Sequence, residues 1–146
     1  MQIWCDASFG NNTKKAGLAI TLIRMLSPKG INRNYFEIPA YAADNNEAEL
    51  LAIKFGVEQA IQYKPERINI ITDSVVAINA IKNPEQASSK YKKLAFCIRE
   101  LIGDNFHIYH RKAHTKNIKG IAIYSCQIYS DFWIFYCICH VFIPFI

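Results

Sequence analysis

Residues 67–74 read Arg67-Ile68-Asn69-Ile70-Ile71-Thr72-Asp73-Ser74, a β-branched run that ends abruptly on an acid and a hydroxyl. The run is short enough to be a buried parallel strand, and Asp73-Ser74 opens a short helix that lasts to about Lys82 before Asn83-Pro84 closes it. Upstream, residues 45–63 place Ala48, Leu51, Ala52, Phe55, Val57 and Ile61 broadly at helical spacing, with Asp44 or Asn45 to cap the start and Pro65 to end it. Downstream, a third helix over residues 88–102 stops at Gly103, with Phe96 and Cys97 expected in the core, and residues 106–111 form a last strand. In front of all this, residues 2–6 and 16–24 are apolar runs separated by the turn-forming Gly10-Asn11-Asn12. A third strand is expected at residues 34–38, after Ser27-Pro28-Lys29-Gly30. The order β-β-β-α-β-α-α-β predicts an α/β fold: a mixed sheet of three antiparallel strands then parallel ones, flanked by helices.

Length and composition bound what such a fold can be. The chain has 146 residues, enough for one domain and too few for two comfortable cores. Hydrophobic residues make up 51% and charged residues 20%, so the chain is not intrinsically disordered in character. A net charge of +5 suits a polyanionic partner without requiring one. The first residues show no secretory pattern, so a cytoplasmic location is the expectation, and five unevenly spaced cysteines read as reduced thiols.

The composition breaks near residue 118, dividing a domain at 1–117 from an apolar tail at 118–146. Only Lys119 and Asp131 carry charge in that tail, and residues 132–146, FWIFYCICHVFIPFI, carry none. Three readings compete: a C-terminal membrane anchor, an apolar element packed on the domain, and out-of-frame translation of AT-rich coding sequence. The uncharged run falls short of the roughly 20 residues that a spanning helix needs, and a longer segment would bury Asp131.

Three acids stand at element ends or first turns: Asp6 in the first strand, Glu49 one turn into the first helix, and Asp73 at the end of the fourth strand. Singly, they read as a turn acid, a solvated helix residue and an N-cap. If the first and fourth strands are neighbours, Asp6 and Asp73 meet and the first helix lowers Glu49 onto them. Gathered in a partly buried place they repel one another by several kcal/mol, so such a cluster calls for cations, and its hard oxygen donors suit Mg²⁺ or Mn²⁺.

The words around these acids come in a telling order: W-C-D-A-S at 4–8, N-N-E-A-E-L-L-A-I at 45–53, I-I-T-D-S at 70–74 and K-A-H-T at 112–115. Together they resemble the type 1 ribonuclease H family over about residues 1–117. The resemblance implies that family's five-stranded fold and an activity: hydrolysis of the RNA strand of RNA–DNA hybrids with two Mg²⁺ ions, for which Mn²⁺ is a possible substitute. It implies Asp6, Glu49 and Asp73 as metal ligands, with Asp6 bridging and Glu49 near a ribose 2′-hydroxyl. It implies Asn45, Asn46 and Ser74 as contacts to the hybrid, and His114 as a catalytic group assisting proton transfer or product release. Glu47 is close but does not match. It lies two residues, about 200° of helix, from Glu49. The partner implied is an RNA–DNA hybrid, met by a monomer, with the membrane anchor a minor alternative.

The chain also departs from the family pattern. Ala7 replaces a glycine after the first acid, and Asp44 stands where a small hydroxyl residue near the DNA phosphate is common, so an acid there is expected to repel that strand. The fourth carboxylate lacks its usual context: after His114 the sequence runs TKNIKGIAIYSCQIYSDFW, and Asp131 is the only acid there. Without that carboxylate, the alternative is a catalytically impaired hybrid-binding domain. Lys90, Lys92 and Lys93 lead the third helix and either track a phosphate backbone or form a solvated face.

Overall fold

The computed structural model describes residues 1–26 and 30–111. Its elements follow the predicted order: β1 (Gln2–Gly10), β2 (Lys15–Leu26), β3 (Gly30–Tyr41), α1 (Asn45–Ile61), β4 (Ile68–Thr72), α2 (Val75–Lys82), α3 (Ser89–Ile102) and β5 (Phe106–His110). A 3₁₀ turn, Pro84–Gln86, joins α2 to α3. The strands form one mixed sheet in the order β3-β2-β1-β4-β5, antiparallel from β3 to β1 and parallel from β1 to β5.

The first three strands outrun their apolar stretches, because hairpin pairing continues past the core. The β1–β2 ladder reaches Gly10↔Lys15, and the amides of Thr13 and Lys14 close the turn by donating to the Gly10 carbonyl at 3.2 and 2.9 Å. Edge strand β3 alternates: Phe36, Ile38 and Ala40 pack against the core while Tyr35, Glu37, Pro39 and Tyr41 face outward. Only every second position is under pressure to be apolar, which hides the strand's full length from a search for apolar runs. Pro39 lacks a backbone donor and is tolerated in a strand at the sheet's edge.

Helix α1 is buried on more than one side. Ala48, Ala52 and Val57 are in the core as the spacing predicts, but so are Leu50, Ile53, Gly56 and Ala60, while Leu51, Phe55 and Ile61 are only half-buried. The helix packs against both the sheet and α3, so its apolar residues do not form a single stripe. Helix α3 corrects another expectation. Its buried stripe is Ala95, Ile98 and Ile102, and Phe96 and Cys97 are half-buried beside it. Positions 96 and 97 turn about 100° and 200° away from 95, off the side that meets the core.

On the sheet face away from α1, the registers line up Tyr35, Thr21, Trp4, Ile71 and Tyr109 in one row across all five strands. The ends of the row are open, with Tyr35 59% and Tyr109 50% exposed. The Arg111 guanidinium sits over the Trp4 ring at 4.7 Å. Among the described residues no helix is long and apolar enough to cross a membrane. The tail at 118–146, and the predicted turn apart from Gly30, lie outside the described residues.

Helix α1 comes close to the sheet at Gly56, where an added Cβ would meet Ile3 Cγ2 at 2.6 Å and Ile20 Cγ2 at 3.2 Å. Gly56→Ala is therefore expected to lower the unfolding free energy by about 1–3 kcal/mol, although alanine is the better helix former. Urea denaturation checks this, and an unchanged or raised midpoint would mean that α1 can lift off the sheet without loss.

Candidate active site

The parallel ladder between β1 and β4 runs Gln2↔Asn69, Ile3↔Ile70, Trp4↔Ile71. Continued by two residues, that register brings Asp6, in the middle of β1, level with Asp73, which follows the C-terminal end of the parallel neighbour β4. Ends of this kind are where open α/β sheets gather their ligands. Thr72, fully buried, turns the chain there: its hydroxyl oxygen accepts the Ser74 amide at 3.2 Å, and α2 begins. Helix α1 supplies Glu49 from above. One carboxylate oxygen each from Asp6, Glu49 and Asp73 lie within 4.8 Å of one another, so three segments distant in sequence converge on one point.

The cluster is poorly solvated. Asp6 and Glu49 are each 4% exposed and Asp73 is half-buried. Burial, followed by the charges of Asp6 and Asp73, pushes the Glu49 carboxyl up to about 8, against the pull of a hydrogen bond from the Ala7 backbone amide. Glu49 Oε2 is buried with no hydrogen-bond partner among the described residues. A buried oxygen left without a donor, inside a knot of like charge, fits a divalent cation better than it fits any neighbouring side chain. Cys5, next to Asp6 in β1, is held as a neutral thiol by its own burial and by the charges of Glu49 and Asp6.

The other residues singled out from sequence divide by location. Asn45 and Asn46 open α1, exposed and half-buried, and Asn46 Nδ2 donates to the Tyr91 hydroxyl at 3.4 Å. Ser74, rather than Asp73, caps α2: its hydroxyl oxygen accepts the Ala77 amide at 3.2 Å. Glu47 faces away from the cluster, and its carboxylate accepts the Ala43 amide in a capping contact. His114 and Asp131 lie outside the described residues.

Sequence reading missed the surroundings of Asp44. Asp44 Oδ1 accepts the Glu47 amide at 2.9 Å, capping α1, while Oδ2 accepts hydrogen bonds from the Tyr91 hydroxyl at 2.8 Å and from Lys90 Nζ. Burial raises the Asp44 carboxyl, but the bonds from Lys90, the Glu47 amide and Tyr91 outweigh it and bring the pKa to about 2. The residue is charged, as expected, but its charge is already answered from within the chain.

The sequence profile of the RNase H family matches residues 1–122. No curated protein matches the chain. Among solved structures it is similar to RNase H1 from the halophilic archaeon Halobacterium salinarum, at 18% identity and a TM-score of 0.66, over 86% of this chain and 93% of that one. It is similar in the same measure to the PFV RNase H domain, at 18% identity and a TM-score of 0.66, over 86% of this chain and 93% of that one. LC11-RNase H1, isolated from compost, shares 12% identity with a TM-score of 0.65, over 86% of this chain and 94% of that one. At such identities the likeness is one of fold.

The raised Glu49 carboxyl has a defined consequence for stability. Its unfolded value is near 4.5 and its folded value about 8, so the stability it contributes is complete below 4.5 and is lost as pH rises through 8. In EDTA, the melting temperature is expected to fall between pH 5 and pH 9, and Glu49→Gln should flatten that fall. Mg²⁺ or Mn²⁺ should restore stability at the alkaline end in the parent chain only. An identical pH profile for the variant would remove Glu49 from the repulsive cluster.

Proposed function

This chain belongs to the RNase H family, and from that premise we propose that it is a metal-dependent endonuclease that cuts the RNA strand of RNA–DNA hybrids. The observation that carries the proposal is the convergence of Asp6 in β1, Glu49 in α1 and Asp73 just after β4, two of them buried and the third half-buried, with one oxygen of each within 4.8 Å of the others. A nucleophile triad would need a base beside a hydroxyl or thiol. Here the convergent groups are carboxylates, and the nearby thiol, Cys5, is held neutral.

In this reading Asp6, Glu49 and Asp73 would together hold Mg²⁺ or, in its place, Mn²⁺. Two divalent cations bound there would supply an acidified water and stabilisation of the leaving 3′ oxygen. The chain's own groups do the rest. Glu49 carries a proton at neutral pH until positive charge replaces it, and in this reading it also meets a ribose 2′-hydroxyl, the mark of RNA. Asn45 and Asn46, with amides that both donate and accept, contact the hybrid from the start of α1, and the Ser74 hydroxyl does so from the start of α2. His114 serves proton transfer or product release. Contacts to sugar and phosphate position a duplex without selecting its sequence, so low sequence specificity goes with this assignment. We place the domain boundary at residue 117, with the apolar tail at 118–146, and the protein as a cytoplasmic monomer.

A second reading, a hybrid-binding domain with impaired cleavage, draws on the number of ligands. Among the described residues the cluster holds three carboxylates, and Asp131, the one acid after His114, has none of the family's usual context.

Purified full-length chain is expected to cut only the RNA strand of a labelled hybrid in Mg²⁺ or Mn²⁺. Asp73→Asn should reduce the rate by at least ~100-fold while the protein stays folded, since loss of a direct ligand exceeds the usual effect of an outer contact. Glu47→Gln should keep most of the activity, because glutamine also serves the capping contact. Folded parent protein that cuts in neither metal would establish the second reading.

A further inference from the structure

We propose that Asp44 lowers this protein's affinity for a nucleic-acid backbone by tying Lys90 into an intramolecular ion pair at the start of the helix that carries Glu49. The inference rests on the functional reading above and concerns how tightly that site takes its substrate.

The three lysines that lead α3 give the sequence of a basic face, yet the structure spends two of them internally. Lys90 pairs with Asp44, and Lys92 Nζ lies 3.2 Å from a Glu85 carboxylate oxygen. Lys93 is exposed and makes no ion pair with another described residue. The Asp44–Lys90 pair is at the surface, its side chains 31% and 45% exposed, so a polyanion can reach it. It also stands beside the path of a substrate. Asp44 caps the helix that carries Glu49 and precedes it by five residues, about 7.5 Å along the axis and about 140° around it. A duplex shows roughly one phosphate charge per 1.7 Å of its length. Asp44 directly precedes Asn45 and Asn46, the residues this reading sets against the hybrid, and Asn46 Nδ2 reaches the same Tyr91 hydroxyl, so a backbone that meets those amides also meets Asp44 and Lys90. There the carboxylate does two things: it cancels the ammonium charge and fixes its direction. Tyr91, which bonds the same oxygen, holds the carboxylate in place, so the pair is oriented rather than loose.

Asparagine at position 44 separates charge from structure. Its amide oxygen caps a helix about as well as aspartate, so the Glu47 contact and the start of α1 persist while the hold on Lys90 is lost. The test is fluorescence anisotropy of a labelled RNA–DNA hybrid in EDTA, where cutting is not expected, across a salt series. Asp44→Asn should tighten binding several-fold, about three to ten, and steepen the slope of log K against log salt by roughly 0.9, the release that goes with one further phosphate contact. Adding Lys90→Met to that variant should cancel both gains and return affinity to within about twofold of the parent. Unchanged or weaker binding by Asp44→Asn overturns the proposal, the weaker case marking the pair as a positioning contact for α1. A gain that survives in full in the double variant also overturns it, because repulsion by Asp44 itself would then be the cause. If neither the parent nor Asp44→Asn binds the hybrid, the functional reading fails, and elution from a heparin column still decides the inference. Later elution of Asp44→Asn, reversed by Lys90→Met, supports capture of Lys90, and identical elution overturns it.

Discussion

Mutual repulsion among Asp6, Glu49 and Asp73 is the constraint to which the rest of the structure answers. Two unit charges about 4 Å apart repel by about 4 kcal/mol at an effective dielectric of 20. A free chain would avoid such a meeting. Here the backbone leaves no choice: Asp6 is inside a strand paired on both sides of its sheet, Asp73 ends a strand whose partner is β1, and Glu49 lies on a helix whose other side is core. The packing of Ile3, Ile20, Leu50, Ile53 and Ile70, all buried, holds these segments together against the charges. Protonation of Glu49 relieves part of the repulsion, and divalent cations would relieve more. Affinity for cations is thus stored in the fold as like charge that has nowhere to go.

Helix α1 is where this stress is carried, and it is held at both ends. Near its C-terminal half, Gly56 lets the helix lie almost in contact with Ile3 and Ile20, which sets the height of the helix above the sheet. At its N-terminus, Asp44 caps the first turn and is gripped by the first turn of α3 through Lys90 and Tyr91. Glu49 lies between these two anchorages. Its approach to Asp6 is set by apolar contact on one side and by hydrogen bonds on the other, so the site's geometry depends on residues outside the carboxylate cluster itself.

How much of this was legible in the sequence follows from the range of the interactions involved. The strand-to-helix handover at Thr72-Asp73 and the cap at Asp44 are local events, written in adjacent residues, and they are where the sequence places them. The meeting of Asp6 and Asp73 was legible only as a conditional, because it depends on β1 and β4 being neighbours. Three kinds of feature escaped. Strand ends escaped because pairing carries polar residues along with apolar ones, as in β3. The buried set of α1 escaped because a helix covered on two sides has no clean stripe. The grip of Lys90 and Tyr91 on Asp44 escaped because nothing local marks a contact between the first turns of two helices so far apart in the chain. His114 and Asp131 remain expectations from the sequence alone.

The pairing of β1 with β4 also sets how much chain must close before the site exists. Contacts between segments far apart in a chain form slowly, since the intervening loop must close before any contact rewards it. The β1–β2–β3 meander needs only neighbouring segments and carries Asp6 alone. Asp73 joins it only through the pairing of β4 with β1, across all of β2, β3 and α1. The acidic cluster thus exists only where that long-range pairing is made, and any opening that parts β4 from β1 also parts the charges.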